Sequence, residues 1–262
     1  MTTDQFSVAG KTAIITGASS GIGRIVAERF ADDGANVVVC SREQANVDPV
    51  AEEIGENALA VECDVTDRGA VDALVSATVS EFGGLDVLVN NAGASFMAGF
   101  DDISPNGWAK VMDINLNGTY HCTQAAGEAL KEESENENGG HAGASVINIA
   151  SVAGQQGSPY MSHYGAAKAG VINFTRSLAF EWAGSGVRVN CVAPGFVATK
   201  GLESQMGISA DDVAREDVER RVGLSEEIAD VVQFLASPAS SYVVGETIAA
   251  AGVPDIMESP EL

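Results

Sequence analysis

The chain has 262 residues, and its 14 lysines and arginines against 37 acidic residues give a formal net charge of −23. This length, with 45% apolar and 19% charged residues, suits a globular protein with a well-filled core. A surface this acidic repels phosphate backbones and anionic lipids, which argues against nucleic-acid and membrane partners. Because the sequence has neither a signal-peptide pattern nor a spanning apolar run, we expect a cytoplasmic protein.

Short apolar runs alternate with segments of helix length along the chain. We predict strands at residues 12–16, 36–40, 58–63, 85–89, 145–149, 187–192 and 246–250. We predict amphipathic helices at residues 23–33, 67–82, 105–132, 162–183 and 225–236. Several runs are continuous in Val, Ile and Leu, which is typical of strands buried on both faces of a parallel sheet. The pattern predicts a single α/β domain over residues 1–262, a doubly wound parallel sheet of about seven strands with helices on both faces.

Two segments fall outside this alternation. Residues 131–143 are acidic, polar and rich in glycine, which predicts a solvated loop before the fifth strand. Residues 199–222 follow the sixth strand and mix short helical stretches, such as 211–221, with glycines. An insert at this place often covers a site, so we expect it to be a lid.

A glycine-rich turn joins the first strand to the first helix. The sequence TGASSGIG, from Thr16 to Gly23, places glycines at positions 17, 21 and 23. Such glycines let the backbone approach a pyrophosphate, and the helix N-terminus offers N–H groups and a positive dipole end. The spacing differs from the commoner GxGxxG, and a glycine-rich turn without a ligand is the alternative.

The second strand is followed by Ser41 and Arg42. An NAD site places an acidic residue at about this position, on the 2′-hydroxyl of the adenosine ribose. An arginine instead offers a charged fork to a 2′-phosphate, so the sequence favours NADP(H) over NAD(H). The alternative is that Arg42 merely pairs with Glu43 or another nearby acid.

Polar and small residues follow the next two strands, at the edge where open α/β sheets bind ligands. Asp64 and Val65 follow the third strand, and the sequence NNAG, residues 90–93, follows the fourth. Asp64 can accept from an adenine amino group, and the small residues let a cofactor lie close to the backbone. The alternatives are that Asp64 caps the next helix and that Asn90 and Asn91 form a plain turn.

The sequence YGAAK places Tyr164 and Lys168 on one face of a helix, one segment after Ser151 at the end of the fifth strand. An adjacent ammonium favours the phenolate, so we expect Lys168 to lower the pKa of Tyr164 from its usual value of about 10. A tyrosine with such a pKa suits general acid–base catalysis. The alternative is a surface pair without a catalytic role.

Together these blocks resemble the short-chain dehydrogenase/reductase family. They are TGASSGIG, NNAG, Asn115 in DINLNGTY, Ser151 in NIASVAG, Tyr164 and Lys168 in YGAAK, and Pro194-Gly195, in this order between about residues 11 and 247. The resemblance implies a Rossmann-type fold, a nicotinamide cofactor, a small carbonyl or alcohol substrate, and a homotetramer or dimer.

The resemblance also implies catalytic roles. Tyr164 would be the acid–base group, and Ser151 would hydrogen-bond the reacting oxygen. Lys168 would hold the nicotinamide ribose and lower the tyrosine pKa, and Asn115 would anchor a water molecule of a proton relay.

The expected cofactor-binding residues are Gly17, Ser19, Ser20, Gly21, Ile22, Gly23, Ser41, Arg42, Asp64, Val65, Asn91, Ala92, Gly93, Tyr164, Lys168, Pro194, Gly195, Val197 and Thr199. By resemblance, Pro194, Gly195 and Thr199 would border the nicotinamide carboxamide. No metal is expected, because His121, His141 and His163 are scattered without ligand-type spacing. The four cysteines likewise show no paired spacing that would predict a disulfide framework.

Two kinds of thioester reductase within the family resemble this chain. Residues 107–119 and 177–195 resemble peroxisomal trans-2-enoyl-CoA reductases, and the full Ser–Tyr–Lys set is shared with 3-oxoacyl thioester reductases. An enoyl reductase protonates carbon, so the Ser151–Tyr164 pair favours ketone–alcohol chemistry, for example on a 3-oxoacyl thioester. Enoyl thioester reduction and a non-catalytic dinucleotide-binding redox sensor are the alternatives.

Substrate contacts are expected from residues 94–100, 153–161 and the 199–222 insert. Phe96, Met97, Met161 and Met206 would form an apolar pocket there, with ordinary core packing as the alternative. The family usually ends its last strand with Asp-Gly-Gly, where this chain has Ala-Gly-Val at 251–253. The tail commonly packs at a subunit interface, so this departure concerns assembly and not chemistry.

The acidity itself predicts a high-salt environment. Acidic residues spread along the chain repel one another in the folded state, and salt with a Debye length of about 3 Å at 1 M screens that repulsion. We therefore expect a halophilic protein, with an ordinary acidic enzyme as the alternative.

Overall fold

The computed structural model describes residues 3–136, 143–199, 207, 209–216 and 221–253. The strands are β1 (Thr12–Thr16), β2 (Asn36–Ser41), β3 (Ala58–Glu62), β4 (Val87–Asn90), β5 (Ser145–Ile149), β6 (Arg188–Pro194), β7 (Val197–Ala198), β8 (Gly223–Leu224) and β9 (Thr247–Ala250). Seven of these strands form one parallel sheet in the order β3-β2-β1-β4-β5-β6-β9, and β7 pairs with β8. The predicted parallel α/β sheet is confirmed.

Helices cover both faces of this sheet. They are α1 (Gly21–Asp32), α2 (Asp48–Ile54), α3 (Arg68–Phe82), α4 (Pro105–Met112), α5 (Gly118–Asn136), α6 (Ser162–Trp182) and α7 (Ser225–Ala236). Successive side chains of a strand point to opposite faces, so Ile15 of β1 packs in one core with Phe30 of α1. Ile14 packs in the other core with Leu74 of α3. The strands β1, β2 and β4 are buried on both faces, as their largely apolar sequences predict.

The region at 105–132 differs from its prediction as one helix. It contains α4 and α5, joined by a π-helical turn over Asp113–Asn117. The helix α5 also continues to Asn136, inside the segment predicted as a loop, while residues 137–142 lie outside the described residues. The apolar pattern continues through the π turn, so periodicity alone does not reveal the extra residue of the turn.

Of the predicted lid at 199–222, residues 200–206, 208 and 217–220 lie outside the described residues. The described part includes one turn of 3-10 helix at Ala210–Asp212, and the lid stays a prediction. Among the described helices, none is both long enough and apolar enough to cross a membrane.

The order of the strands reverses between β1 and β4. The chain moves outward from β1 to β3 on one side and from β4 to β9 on the other. At such a reversal the connecting segments separate and leave a crevice outside the carboxyl ends of the strands. The glycine turn after β1 and the NNAG segment at the end of β4 therefore meet at the same edge of the sheet.

Candidate active site

A cleft of about 740 Å³ opens at the carboxyl edge of the sheet. Segments that follow β1 to β6 line it, together with the first turns of α6. The sequence-predicted residues that line it are Gly17, Ser19, Ser20, Gly21, Ile22, Ser41, Arg42, Asp64, Val65, Asn91, Ala92, Gly93, Ser151, Tyr164, Lys168, Pro194, Gly195, Val197 and Thr199. Two predicted site residues, Gly23 and Asn115, are buried outside this lining.

The glycine turn fits a pyrophosphate group. Gly17 and Gly21 have φ angles of 65° and 57°, in the left-handed region that glycine adopts without strain. Ser20 caps α1 with no side-chain hydrogen bond in the described structure, so the first N–H groups of the helix can meet an anion. A Cβ atom on Gly21 would lie 3.3 Å from the methyl of Thr199 and would narrow the cleft. The turn and the cleft thus fit a dinucleotide.

The end of β4 holds the glycine turn in place. Nδ2 of Asn91 donates to the carbonyls of Thr16 and Gly17, at 2.9 and 3.1 Å. Oγ1 of Thr16 accepts from the N–H groups of Asn91 and Ala92, at 3.0 and 2.9 Å. A Cβ atom on Gly23 would lie 2.4 Å from Nδ2 of Asn91, so Gly23 permits this close contact. Thr16 is a positioning residue that the sequence analysis did not identify.

The far end of the cleft carries Ser41, Arg42, Glu43 and Asn46. The carboxylate of Glu43 accepts from Nδ2 of Asn46 at 3.1 Å. Among the described residues, the exposed Arg42 forms no ion pair or hydrogen bond, so the alternative in which Arg42 pairs with Glu43 is wrong. Arg42 is therefore placed to meet an anionic group of a ligand.

Asp64 lines the cleft but also holds its own turn. Its Oδ1 accepts from the N–H and the hydroxyl of Thr66, at 2.9 and 2.8 Å. The cap of α3 is Asp67, whose side chain accepts from the N–H groups of Gly69 and Ala70. The alternative in which Asp64 caps this helix is therefore wrong.

The first turns of α6 bring Tyr164 and Lys168 into the cleft with Ser151. Nζ of Lys168 lies 5.6 Å from the centre of the Tyr164 ring. Burial raises the pKa of Tyr164 above its ordinary value, and a hydrogen bond with Ser151 partly opposes the rise. The expectation that Lys168 lowers this pKa is wrong for this structure, because desolvation of the phenol dominates.

Lys168 is itself strongly desolvated. It is 3% exposed, and its Nζ donates to the carbonyl of Ile149 at 2.8 Å. Burial lowers its pKa from 10.5 to about 8, although the nearby Cys191 thiol favours the charged form. A lysine with this pKa is only partly protonated near pH 8. A charged ligand bound next to it would change this pKa further.

Asn115 lies in the π-helical turn, immediately behind the cleft wall. Its Nδ2 donates to the carbonyls of Ala94 and Val111, at 2.7 and 2.9 Å. Its buried Oδ1 has no hydrogen-bond partner in the described structure. A Cβ atom on Gly93 would lie 2.8 Å from this oxygen and 3.5 Å from Nζ of Lys168. Because Gly93 has no side chain, there is space between the amide of Asn115 and the ammonium of Lys168.

The predicted apolar pocket is present only in part. Met97 and Met161 line the cleft, together with Phe196, which the sequence analysis did not identify. The prediction is wrong for Phe96, which is outside the lining and whose ring centre lies 4.3 Å from that of His163. Met206 lies outside the described residues.

A buried polar network supports the sheet beneath the site. Nδ2 of Asn90 donates to Oγ1 of Thr123 and Oδ1 of Asn148, at 2.8 and 2.9 Å. Nδ2 of Asn148 in turn donates to Oγ1 of Thr175 at 2.9 Å. The network joins α5, β4, β5 and α6, so Asn90 belongs to a strand and not to a turn. Nowhere in the described structure do three or more His, Cys, Asp or Glu side chains form a group that could hold a metal ion.

Comparison with known proteins identifies the family. The family model described as enoyl-(acyl carrier protein) reductase matches residues 17–252, which include the whole described cleft. A 3-oxoacyl-[acyl-carrier-protein] reductase from Synechocystis sp. is 38% identical over 246 residues, covering 92% of this chain and 95% of the relative. The chain belongs to the short-chain dehydrogenase/reductase family.

Two further known proteins are similar to this chain over nearly their full length. A cis-4-hydroxycyclohexanecarboxylate dehydrogenase from Sinomonas cyclohexanicum is 40% identical over 251 residues, covering 93% of this chain and 96% of the relative. The crystal structure of a 3-ketoacyl-(acyl-carrier-protein) reductase from Brucella melitensis complexed with NADH has a TM-score of 0.85 and 33% identity. This match covers 94% of this chain and 98% of the other chain. The resemblance inferred from the motifs is confirmed, and the protein belongs to a family of oxidoreductases.

Proposed function

We propose that the protein is an NADP(H)-dependent oxidoreductase that interconverts a ketone and a secondary alcohol. The observation that carries the proposal is the meeting of Ser151, Tyr164 and Lys168 in one cleft whose far end presents Arg42. Similar proteins named 3-oxoacyl-[acyl-carrier-protein] reductase and cis-4-hydroxycyclohexanecarboxylate dehydrogenase support oxidation and reduction at a C–O carbon.

The residues at the catalytic end act on the oxygen of the substrate. A bound nicotinamide dinucleotide supplies or accepts the hydride. During reduction, negative charge develops on the carbonyl oxygen, where Ser151 donates a hydrogen bond and Tyr164 donates its proton. The raised pKa of Tyr164 keeps the phenol protonated near neutral pH, which is the form that reduction requires. Lys168 binds the ribose, and Asn115 positions a water molecule for proton resupply.

The other lining residues hold the dinucleotide. The turn at 17–23 binds the pyrophosphate, with Ser19, Ser20 and Ile22 presenting backbone N–H groups at the start of α1. Ser41 and Arg42 bind the 2′-phosphate, and Asp64 and Val65 border the adenine. Pro194, Gly195 and Thr199 border the carboxamide, and the segment at 91–93 lies against the nicotinamide half.

Enoyl thioester reduction is a second candidate, favoured by the description of the matching family model. That reaction delivers a proton to carbon. Ser151 and Tyr164 instead bring two hydroxyl groups into one cleft, which favours an oxygen acceptor.

The test is a spectrophotometric screen of NADPH consumption in molar KCl against 3-oxoacyl thioesters, enoyl thioesters, simple ketones and sugars. We expect turnover of ketones, and a Tyr164→Phe variant that still binds NADPH while kcat falls by about 10²- to 10⁴-fold. The matched control is Tyr120→Phe on α5, which should keep full activity. Preference for enoyl thioesters, or a fully active Tyr164→Phe variant, would contradict the proposal. Binding of NADPH without turnover of any substrate would instead indicate a redox sensor.

We also infer that the protein forms a homotetramer or dimer, as the family resemblance implies. The exposed apolar side chains of Phe180 and Tyr242 support an interface close to the sheet edge at β9. A Cβ atom on Gly245 would lie 3.3 Å from Cβ of Ala179, so the segment before β9 runs beside α6. Light scattering in molar KCl measures the assembly, and a monomer would contradict this inference.

A further inference from the structure

The segment that follows β3 borders the cleft at the end where the adenosine is proposed to bind. Cys63, Asp64 and Val65 line the cleft there. In the described sheet, β3 lies at the edge and pairs only with β2. The pairing continues to the N–H of Cys63, which donates to the carbonyl of Ser41 at 2.7 Å. Beyond this bond the segment leaves the described sheet, so its position depends on other elements.

The first turns of α5 hold this segment. Nδ1 of the half-buried His121 lies 3.1 Å from the carbonyl oxygen of Val65. Because a carbonyl oxygen only accepts, Nδ1 carries a proton and donates the hydrogen bond. A Cβ atom on Gly118 would lie 2.7 Å from Cγ2 of Val65, so the side chain of Val65 packs directly on the backbone of the helix. Both the backbone and the side chain of Val65 are therefore positioned by α5.

The residues next to Val65 move with it. Oδ1 of Asp64 accepts from the N–H and the hydroxyl of Thr66, which closes a turn around Val65. Val65 is 6% exposed and packs in one core with Cys122 of α5. In the described structure, the contact with His121 is the one side-chain hydrogen bond that joins the turn at 64–66 to α5. Loss of this bond therefore releases the turn without breaking a hydrogen bond inside it.

The chain immediately before α5 reaches the catalytic end of the cleft. The π-helical turn at Asp113–Asn117 places Ile114 in the lining. The next residue, Asn115, donates to the carbonyl of Ala94 at 2.7 Å. A displacement of α5 as a whole would move Asn115 and lower kcat, whereas release of the turn at 64–66 alone would not. This difference separates a local role of His121 from a general effect on the helix.

We propose that His121 is a positioning residue for the cofactor, and that its hydrogen bond to Val65 fixes the wall against which the adenine binds. This inference rests on the proposed function, in which Asp64 and Val65 border the adenine. It adds a residue that lies outside the lining of the cleft. A wall that is fixed before the cofactor arrives loses less conformational freedom on binding, so the hydrogen bond contributes to affinity. The contribution is equal for NADPH and NADH, because both contain the same adenine.

The first experiment removes the donor and then restores it. His121→Leu deletes the hydrogen bond, whereas the side-chain amide of His121→Asn places an N–H donor at about the position of Nδ1. We expect His121→Leu to raise the Kd for NADPH and for NADH by the same factor, about three- to tenfold. His121→Asn should stay within about twofold of the natural protein, and kcat at saturating NADPH should change by less than about twofold in both variants. Fluorescence titration and steady-state kinetics in molar KCl measure these effects.

The matched control is Gln124→Leu, the same kind of change nearly one turn further along α5. Gln124 accepts from the guanidinium of Arg68 and makes no hydrogen bond to the turn at 64–66 in the described structure. Its loss should leave the Kd for both cofactors within about twofold. Melting temperatures of all variants in the same salt show whether each one is folded.

A second variant displaces the same wall from the helix backbone. The added methyl of Gly118→Ala meets Cγ2 of Val65 and pushes the side chain away from α5. Because alanine suits a helix better than glycine, the helix itself should tolerate the change. We expect the Kd for NADPH and for NADH to rise together again, by about threefold or more. An unchanged Kd for both cofactors in Gly118→Ala and in His121→Leu would overturn the inference.

Three other results would also overturn it. A rise in Kd confined to NADPH would place His121 at the 2′-phosphate with Arg42. A fall in kcat as large as the rise in Kd would show that His121 acts on α5 as a whole. Failure of His121→Asn to restore affinity would show that the N–H donor has no part in it.

The titrations separate this inference from the proposed reaction, because they need no turnover. A protein that reduces no ketone but loses affinity for both cofactors in His121→Leu would keep this inference and contradict the reaction. Reduction of ketones with unchanged cofactor affinity in His121→Leu would do the reverse. A natural protein that binds neither NADPH nor NADH would overturn both.

Discussion

Lys168 is a base that the fold holds in an unfavourable environment. Its pKa is about 8 in the folded protein against 10.5 for a free side chain, because burial disfavours the charge. A base with a lowered pKa destabilises the fold most below the folded pKa, and stability recovers as the pH rises from about 8 towards 10.5. One pKa unit corresponds to about 1.4 kcal/mol. The buried ammonium at the catalytic end of the cleft therefore lowers the stability of the folded protein.

We expect Lys168→Met to raise the free energy of unfolding by about 1–3 kcal/mol at pH 7, where the buried charge is most unfavourable. The gain should shrink as the pH rises above about 8, while catalytic activity is lost at every pH. Urea unfolding in molar KCl at pH 7 and at pH 9 measures the difference. A variant that is less stable than the natural protein at pH 7 would show that the ammonium is well solvated by its surroundings.

Arg42 makes the choice of cofactor testable at one residue. Because its guanidinium is exposed in the cleft and Glu43 bonds to Asn46, Arg42→Ala should raise the Kd for NADPH by about tenfold or more. The Kd for NADH, which lacks the 2′-phosphate, should change by less than about twofold. Fluorescence titration with both cofactors measures this, with Arg176→Ala on the exposed face of α6 as control. Equal weakening of both cofactors would remove the argument for NADP(H).

At the scale of single residues, the sequence predicted which side chains lie in the cleft better than it predicted how buried they are. The spacing of Tyr164 and Lys168 and the position of Ser151 predicted which side chains meet in the cleft. The direction of the Tyr164 pKa was not predictable, because it depends on how much water the surrounding elements exclude from the phenol. The prediction that Phe96 lines the cleft was wrong because the packing of the loop decides which of its apolar side chains face the cleft. The ring of Phe96 packs against His163 instead.

Among the elements, the 3-10 turn Val152–Gly154 carries Ser151 against α6. A Cβ atom on Gly154 would lie 2.6 Å from the carbonyl carbon of Lys168 and 2.7 Å from the nitrogen of Ala169. Backbone atoms cannot move aside without shifting the helix. The turn and the helix therefore approach each other closely only because position 154 has no side chain.

We expect Gly154→Ala to lower the free energy of unfolding by about 2–4 kcal/mol, because the added methyl separates the turn from α6. The kcat should fall as well, since Ser151 moves away from Tyr164. Urea unfolding and steady-state kinetics measure both effects. The control is Gly184→Ala, where a Cβ atom would meet nothing within 4 Å. Full activity of Gly154→Ala would mean that the reaction does not need this close approach.

Elements with a strong apolar pattern were predicted well. The bounds of β1, β5 and α7 match their predictions, because buried strands and an amphipathic helix follow the periods of their backbones. The π-helical turn at Asp113–Asn117 was missed, since its apolar residues continue the pattern of the flanking helices. Asn115 was identified from its motif alone, and its contacts with Ala94 and Val111 required the fold.

For the whole molecule, the excess of acidic over basic residues is the main electrostatic feature. The chain has 14 lysines and arginines for 37 acidic residues, so most carboxylates have no cation to pair with. The ion pairs in the described structure, such as Arg68 with Asp72 and Arg221 with Glu227, lie at partly exposed positions. Each such pair contributes at most about 1 kcal/mol. Repulsion among the remaining acids therefore acts over the whole surface.

We expect the melting temperature to rise with KCl concentration and the protein to unfold on dilution below about 0.5 M salt, because repulsion among the surface acids is then screened less. Circular dichroism melts across a KCl series measure this. An uncharged osmolyte such as sucrose is the control for exclusion effects, since it stabilises folded proteins without screening charge. Neutralising three exposed acids, by Glu52→Gln, Asp101→Asn and Asp211→Asn, should lower the salt needed for folding. A melting temperature independent of salt would contradict the halophilic interpretation and would leave the acidity without a role in stability.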